Sequence, residues 1–227
     1  MTLQERIAAV KQRIQAACER SGRRMSGINL VAVTKYVSVE GVREVLNSGL
    51  THIGENRWQD AKEKWQALGD QGTWHFIGHL QSNKAKDVIG KFAYIHSLDR
   101  LSLAKELQKR AEAENLTVNC FIQLNVSGET SKFGLAPEQL FEFVKSIKPM
   151  DRLHITGLMT MAPFEADPEA TRPVFRELRN WRDRLNEEGI LPYPVTELSM
   201  GMSNDFEVAI EEGATWLRLG SVLVGSE

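Results

Sequence analysis

The sequence predicts an α/β fold, a single (β/α)8 barrel of the TIM type with an extra helix at its amino terminus. Short apolar segments alternate with longer amphipathic ones from residue 29 to the end of the chain. Eight apolar segments can be counted, the number that closes a parallel barrel. The 227 residues show no composition shift and no long linker, so we expect one domain over residues 1–227. An open, doubly wound sheet is the alternative.

The extra helix is predicted from an apolar stripe that begins at Leu3 and ends before Ser21 and Gly22. After it, each unit reads as a run of strand-forming residues followed by apolar residues at helical spacing. The predicted strands are 29–34, 51–54, 74–77, 92–96, 117–124, 153–158, 195–199 and 216–219. The predicted helices are 39–46, 57–68, 82–89, 101–114, 137–147, 168–188 and 205–212, with a brief tail after the last strand.

Composition excludes several classes of protein. Lysine and arginine (28) nearly balance aspartate and glutamate (30), so the net charge of −2 offers no basic surface for nucleic acid. No segment is long and apolar enough to span a bilayer, and the start lacks the pattern of a signal peptide. Cys18 and Cys120 are too few for a disulfide framework and form no Cys-x-x-Cys pair. We therefore expect a cytoplasmic protein with no membrane or nucleic-acid partner.

Lys35 follows the apolar run 29–34 at the predicted tip of the first strand. On a strand, Lys35, Val33 and Val31 share one side, so the lysine continues an apolar row. An amine drawn out of water loses stabilisation of its charge, and its pKa falls. The neutral amine can then hold an aldehyde cofactor as a Schiff base. The alternative is a solvated lysine that ends the strand.

Two loops near the end of the chain predict an anion site. Phosphates favour the loops after the seventh and eighth strands of this kind of barrel. Ser203 stands at a predicted helix start after the seventh strand, and Gly220 and Ser221 follow the eighth. A serine hydroxyl, backbone N–H groups and the helix dipole all favour a phosphate there. Turn glycines and an N-cap serine are the alternative.

Arg218 alternates with Trp216 and Gly220 on the eighth strand, so its guanidinium is expected at the mouth of the barrel, toward Lys35. A guanidinium donates hydrogen bonds and accepts none, so a pyridine nitrogen that faces it has to be unprotonated. Such a ring is a poorer electron sink than a ring held protonated by a carboxylate. An ion pair with Glu197 is the alternative.

Five ordered motifs cover nearly the whole chain: VAVTK at 31–35, GEN at 54–56, HFIGHLQSNK at 75–84, SMGMSND at 199–205 and RLGS at 218–221. Together they resemble the pyridoxal phosphate homeostasis proteins, also called the PROSC or YggS family. The resemblance implies a barrel similar to the amino-terminal domain of alanine racemase, with pyridoxal 5'-phosphate carried on an internal lysine.

The family's cofactor residues have counterparts in this chain. Lys35 matches the lysine, Arg218 the arginine that faces the pyridine nitrogen, and Asn56 the asparagine near the cofactor ring. The positions that hold the phosphate are matched by Ser203, Gly220 and Ser221, the last a serine where family members often have threonine. For Asn56, a turn or cap role before the helix at 57 is the alternative.

A metal site is the competing interpretation of the histidines. His75 and His79 are four residues apart and on a strand would point the same way, so with His52 or His96 they could be metal ligands. No tight His-x-His or Cys-x-x-Cys spacing supports this, so we expect no metal, and a metal-dependent hydrolase stays a hypothesis for metal analysis. Lys132, after the fifth strand, either meets the mouth or is solvated.

The sequence favours a carrier over an enzyme. Racemisation needs acid–base groups on opposite faces of the substrate. Alanine racemases take the second group, a tyrosine, from a partner subunit and add a carboxyl-terminal β domain, whereas this sequence ends shortly after strand eight. Tyr36 is expected, by alternation, to point away from Lys35. We expect a monomer that limits free pyridoxal 5'-phosphate in vitamin B6 homeostasis and passes it to apoenzymes; a racemase-like enzyme is the alternative.

Overall fold

The structure, a computed structural model, describes residues 1–130, 132–164 and 167–225. Over these residues the strands close into a parallel barrel in chain order, with the last strand paired to the first. The predicted α/β barrel with an amino-terminal helix is therefore confirmed. The strands are β1 (Asn29–Val33), β2 (His52–Glu55), β3 (Thr73–Phe76), β4 (Tyr94–Leu98), β5 (Val118–Gln123), β6 (Leu153–Met159), β7 (Glu197–Ser199) and β8 (Trp216–Leu219).

Helices surround the barrel. They are α1 (Leu3–Ser21), α2 (Val39–Asn47), α3 (Trp58–Leu68), α4 (Ala85–Val88), α5 (Leu101–Ala113), α6 (Leu140–Ile147), α7 (Arg172–Glu187), α8 (Phe206–Glu211) and α9 (Ser221–Val224). Short 3-10 turns precede several of them and cover parts of the predicted helices at 82–89, 137–147 and 168–188. The brief tail predicted after the last strand is instead the one-turn helix α9.

The extra helix α1 is defined by its own sequence. Thr2 and Glu5 form a capping box, in which each side chain accepts a hydrogen bond from the other residue's backbone N–H. The buried stripe of α1 packs on α8 and α9, and Arg23 donates to the Ile210 and Ala214 carbonyls at 2.7 Å. This helix therefore covers the outer side of the final two barrel units.

The core has two layers. Most buried apolar side chains lie between the strands and the helices, as expected for parallel strands covered by crossover helices. Inside the barrel the apolar cluster is small and consists of Val31, Phe121, Met159 and Trp216. Much of the remaining interior is polar, because β2, β3 and β4 each direct a histidine inward. Among the described residues, no helix is long and apolar enough to cross a membrane.

Candidate functional site

A cavity of about 1080 Å³ opens at the carboxyl-terminal ends of the strands. All six residues that the sequence singled out border it: Lys35, Asn56, Ser203, Arg218, Gly220 and Ser221. The first two come from the units of β1 and β2, and the others from those of β7 and β8, and β8 pairs with β1 across the barrel closure. Parallel closure thus brings the start and the end of the chain to one site.

Lys35 lies just past the end of β1, in a turn closed by the Val37 N–H donating to the Thr34 carbonyl at 2.9 Å. It is half-buried and borders the cavity together with Val33, although it lies beyond the end of the strand. The prediction for Tyr36 was wrong. Because β1 ends at Val33, alternation does not continue to Tyr36, and the Lys35 Nζ lies 5.0 Å from the centre of the Tyr36 ring.

A buried ion pair lies beneath this turn. Lys64 Nζ, on α3, donates to the Thr34 carbonyl at 2.7 Å and to Glu55 Oε1 at 2.9 Å. The Thr34 hydroxyl donates to the same carboxylate oxygen at 2.6 Å. Burial raises the pKa of Glu55, while the hydrogen bonds from Thr34 and Lys64 oppose that rise. The cluster therefore holds Thr34, the residue before Lys35, and Glu55, the residue before Asn56.

Asn56 is positioned by a close backbone contact. A Cβ added to Gly78 would lie 2.2 Å from the Asn56 carbonyl oxygen, so only glycine allows the two segments to approach this closely. The N-cap position of α3 belongs to Arg57, and Asn56 borders the cavity instead. The alternative of a cap role for Asn56 is therefore not what the structure shows.

The loops after β7 and β8 meet at Ser203. The N–H groups of Gly220 and Val222 donate to Ser203 Oγ at 3.3 and 3.4 Å. The alternative of Ser203 as an N-cap was wrong, because α8 begins at Phe206. Asp205 closes the turn by accepting from the Met202 N–H at 2.7 Å. Two hydroxyls, of Ser203 and Ser221, and two backbone amides thus gather at one end of the cavity.

Arg218 is buried, at 3% exposure, and still borders the cavity. Its guanidinium donates to Ser199 Oγ at 2.7 Å and to the Thr160 carbonyl at 2.9 Å. Burial lowers the pKa of Arg218 to about 10. The alternative of an ion pair with Glu197 was wrong, because that carboxylate accepts from Trp216 Nε1 at 3.0 Å.

The histidines do not point the same way, and that expectation was wrong. His75 is buried inside the barrel between His52 and His96, at nitrogen–nitrogen distances of 3.0 and 2.9 Å. His79 lies beyond the end of β3 at the mouth, where its ring stacks on Phe133 at 3.8 Å. Within the residues that the structure covers, no group of three or more His, Cys, Asp or Glu side chains is arranged to hold a metal ion.

Lys132 lies beside the mouth. Its Nζ forms an ion pair with Glu129 and is 3.5 Å from the carbonyl oxygen of Met161, a residue that borders the cavity. The sequence left two alternatives for Lys132, the mouth of the barrel or bulk solvent. The structure places it next to the mouth with an acidic partner.

The site also contains residues that the sequence did not single out. Thr160 and Ser199 bind Arg218, and Glu55 and Lys64 support the turn of Lys35. One signal was present for Glu55, since it lies within the GEN motif at 54–56. Ser199 is the first residue of the SMGMSND motif at 199–205. A serine at a strand end, however, has no sequence feature that identifies it as the partner of an arginine.

These groups fit pyridoxal 5'-phosphate. The cofactor needs an amine for its aldehyde, hydrogen-bond donors for its phosphate and a partner for its ring nitrogen. Lys35 supplies the amine, the Ser203, Gly220 and Ser221 segment supplies hydroxyl and amide donors, and Arg218 supplies a donor. An added Cβ at Gly220 would come no closer than 3.6 Å to the protein, so its nearest neighbours leave room for a larger residue there.

Comparison with known proteins places the chain in a family. Residues 6–227 match the profile of the alanine racemase amino-terminal domain. The pyridoxal phosphate homeostasis protein of Aquifex aeolicus is 48% identical over 222 residues, which cover 97% of this chain and 96% of that protein. The structure of PipY from Synechococcus elongatus with PLP bound is 33% identical, has a TM-score of 0.86, and is matched over 99% of this chain and 100% of PipY.

A more distant structure shares only the fold. Alanine racemase from Clostridium difficile is 14% identical, has a TM-score of 0.78, and is matched over 97% of this chain and 56% of the racemase. The similarity to the Aquifex protein, in contrast, spans both sequences almost completely. The chain belongs to the pyridoxal phosphate homeostasis protein family, within the larger group that shares the alanine racemase amino-terminal domain.

Proposed function

We propose that this protein binds pyridoxal 5'-phosphate as a Schiff base on Lys35 and acts in intracellular vitamin B6 homeostasis. The observation that carries the proposal is the gathering of Lys35, Arg218 and the Ser203 to Gly220 contact around one cavity. The similar protein PipY has been solved with PLP bound, and the Aquifex relative is named for this homeostasis.

Each residue has a role in this proposal. The Lys35 amine would hold the cofactor through its aldehyde carbon. Ser203, Ser221 and the Gly220 amide hold the phosphate, since hydroxyl and N–H donors satisfy its oxygens. Arg218 would supply the donor for the ring nitrogen, and Asn56 would border the ring. When bound, the cofactor would supply an electrophilic carbon and an electron sink, and the sink would be weak because a ring nitrogen that faces a guanidinium is unprotonated.

We further propose that residues 1–227 form one cofactor-binding domain, which works as a cytoplasmic monomer and passes cofactor to apoenzymes. Both described cysteines are buried and free, and burial raises the pKa of Cys120 to about 12, so its thiol stays protonated. A reducing compartment suits such thiols. Size-exclusion chromatography with light scattering tests the monomer, and transfer of cofactor to an apoenzyme tests the carrier role.

The direct test is covalent trapping. Purified protein is mixed with pyridoxal 5'-phosphate, its visible absorbance is recorded, and borohydride reduction is followed by peptide mapping. We expect a reduced adduct on Lys35, which is lost in Lys35→Ala. Lys132→Ala is the matched control, because Lys132 lies beside the same mouth but pairs with Glu129, and this variant should keep the adduct. An adduct on another lysine with none on Lys35 would reject the proposal.

A racemase-like enzyme is the second candidate, because Tyr36 is a second ionisable side chain on the cavity that Lys35 borders. The Tyr36 ring lies beside the Lys35 amine. Tyr36 is also 78% exposed, and water therefore has access to this part of the site, which is unfavourable for an enzyme that must protect reactive intermediates. Incubation of the loaded protein with L-alanine and L-serine in heavy water tests it. Deuterium at the α carbon that is lost in Tyr36→Phe would support the enzyme, and no exchange with either amino acid would leave the carrier.

A further inference from the structure

A chain of hydrogen bonds crosses the barrel interior and ends at Arg218. It starts at His52 on β2, where Nδ1 is 3.0 Å from His75 Nε2, and continues with His75 Nδ1 at 2.9 Å from His96 Nε2. His96 Nδ1 is 2.8 Å from Ser199 Oγ, which accepts from Arg218 at 2.7 Å. The chain joins five strands, and four of its five side chains are buried.

Burial disfavours the charged form of the three imidazoles in this hydrogen-bond chain, so the neutral form is favoured. Burial lowers the pKa of His52, and it lowers the pKa of His75 and His96 well below the ordinary value of 6.5. Each imidazole therefore has one N–H donor and one acceptor nitrogen. The rings are also fixed by stacking, His75 on Tyr94 at 4.6 Å and His96 on Phe121 at 4.3 Å. Their hydrogen-bond partners are thus set by geometry.

Arg218 gives the chain a direction. A guanidinium only donates, so Ser199 Oγ accepts from it, and the Ser199 hydroxyl proton needs an acceptor of its own. Over the described residues, the hydrogen bonds of Ser199 Oγ lead to Arg218 and to His96 Nδ1, so His96 Nδ1 is that acceptor. His96 then carries its proton on Nε2 and donates to His75 Nδ1, and His75 donates in the same way to His52 Nδ1. The opposite direction would leave a buried hydroxyl proton unsatisfied.

The arginine at the end of the hydrogen-bond chain also limits what the histidines can do. Arg218 has no lone pair to accept a proton, so the histidines cannot deliver protons to the cavity through it. What they can do is hold Ser199 in one orientation, and Ser199 in turn holds the guanidinium. No ion pair within 4.0 Å joins Arg218 to a carboxylate in the part of the chain that the structure describes, so Ser199 and the Thr160 carbonyl carry this task.

We propose that Ser199, oriented by the His96–His75–His52 chain, is a positioning residue that fixes the Arg218 guanidinium at the cavity. This inference rests on the proposed function, and it explains how that site keeps a bound pyridine ring unprotonated. Aromatic nitrogen heterocycles that carry a phosphate and accept at the ring nitrogen are the ligand class that a fixed donor selects. A ring that presents an N–H at that position is disfavoured, because it would face a donor.

The charged and titratable side chains around the hydrogen-bond chain do not compete for the protons of its histidines. Asp205, before α8, is the carboxylate whose charge acts on Arg218 from the mouth. At the other end, Tyr94 on β4 stacks on His75, burial raises the Tyr94 pKa, and Glu197 on β7 pairs with Trp216. Any pH dependence of the hydrogen-bond chain therefore arises from its three imidazoles. Arg218 and Asp205 are the charges that face these imidazoles.

The first test reads the direction of the chain without relying on cofactor binding. Imidazole ¹H–¹⁵N correlation spectra of the full-length protein near pH 7.5, with and without pyridoxal 5'-phosphate, report which nitrogen carries each proton. We expect Nε2–H in His52, His75 and His96. A proton on Nδ1 of His75 or His96, or a charged imidazole in the chain, overturns the assigned direction.

The second test changes Ser199 and reads Arg218. In Ser199→Ala the Arg218 side-chain resonances should broaden, and affinity for pyridoxal 5'-phosphate should fall about tenfold. The pH midpoint for protonation of the bound ring nitrogen, followed by the cofactor's visible absorbance, should move to higher pH. An arginine that is not held in place opposes protonation of that nitrogen less well. Ser97→Ala is the matched control, since Ser97 is a buried strand serine with no hydrogen-bond partner among the described atoms. It should behave as wild type.

The third test keeps the inference falsifiable if one variant folds poorly. His96→Phe preserves the stack on Phe121 and removes the acceptor of the Ser199 proton. We expect it to move the absorbance midpoint in the same direction as Ser199→Ala. The double variant should show less than the sum of the two, because both act through one guanidinium. Additive effects, or an unchanged midpoint in both single variants, overturn the positioning role.

Failure of the inference and failure of the proposed function can be told apart. A wild-type protein that takes up no cofactor contradicts the proposed function, while the Arg218 resonances in Ser199→Ala still decide whether Ser199 fixes the guanidinium. A wild-type protein that binds cofactor on Lys35, with unchanged Arg218 resonances in Ser199→Ala, keeps the proposed function and rejects the inference.

Discussion

Lys64 Nζ donates to Glu55 Oε1 at 2.9 Å directly beneath the turn that carries Lys35, and the two side chains are 7% and 0% exposed. Water contributes little to the solvation of either charge, so each ion depends on the other and on Thr34. The turn of Lys35 is thus anchored by a pair that is costly to break, and that cost can be measured.

Lys64→Met should lower the free energy of unfolding by about 3 kcal/mol, because it leaves the buried Glu55 carboxylate without its cation. Urea denaturation measures the change. Lys145→Met is the matched control, since Lys145 pairs with Glu142 on the exposed side of α6, and no measurable loss is expected there. Equal unfolding midpoints for the two variants would contradict the anchoring role of Lys64.

Ser203→Ala should weaken binding of pyridoxal 5'-phosphate by roughly 10- to 150-fold, because a hydrogen bond to a charged oxygen is worth about 1.5–3 kcal/mol. Pyridoxal, which lacks the phosphate, is the matched ligand, and its binding should change little. Absorbance titrations of wild type and variant with both ligands measure the ratio. If both ligands lose affinity equally, Ser203 acts on the loop as a whole and not on the phosphate.

Gly78→Ala should lower the free energy of unfolding by about 1–3 kcal/mol, because its new Cβ would meet the Asn56 carbonyl oxygen at 2.2 Å. Gly27→Ala is the control, since no atom outside its chain neighbours lies within 4 Å of a Cβ added there. Urea midpoints of the two variants should differ clearly. A Gly78→Ala protein as stable as Gly27→Ala would show that this contact relaxes easily.

The stability of the barrel should fall in mild acid. His75 and His96 have pKa values lowered by burial, so below about pH 6.5 the unfolded chain binds protons that the native barrel excludes. The free energy of unfolding therefore has its maximum contribution from these histidines above that pH. It decreases below that pH by up to about 1.4 kcal/mol per pH unit for each histidine. His75→Phe should make the decrease shallower. Urea unfolding near pH 7.5 and near pH 5 tests this, and an unchanged decrease contradicts it.

Much of the fold and of the cavity rim could be predicted from the sequence because parallel barrels place strand ends at one edge. Lys35 after β1 and Arg218 on β8 are far apart in the chain, yet barrel closure and the common direction of the strands put both at the mouth. The meeting of the Ser203 and Gly220 loops follows from the same rule, because β7 and β8 are neighbours.

What could not be predicted depends on strand ends and on register. Tyr36 was misplaced because β1 stops at Val33, and a turn ends the alternation. The His52 to Arg218 chain joins β2, β3, β4, β7 and β8, and His96 and Ser199 are 103 residues apart. A period-2 pattern assigns a histidine to the inside of a barrel, whereas its partner there depends on the stagger of the strands.

The Ser203 hydroxyl gives the Gly220 and Val222 amides a partner within the protein itself. An arriving anion therefore exchanges one acceptor for another, and a departing anion leaves no N–H stranded. Such an exchange costs little free energy in either direction, so the loops favour reversible binding of an anion over permanent retention. A protein that passes its cofactor on, as proposed above, needs that reversibility.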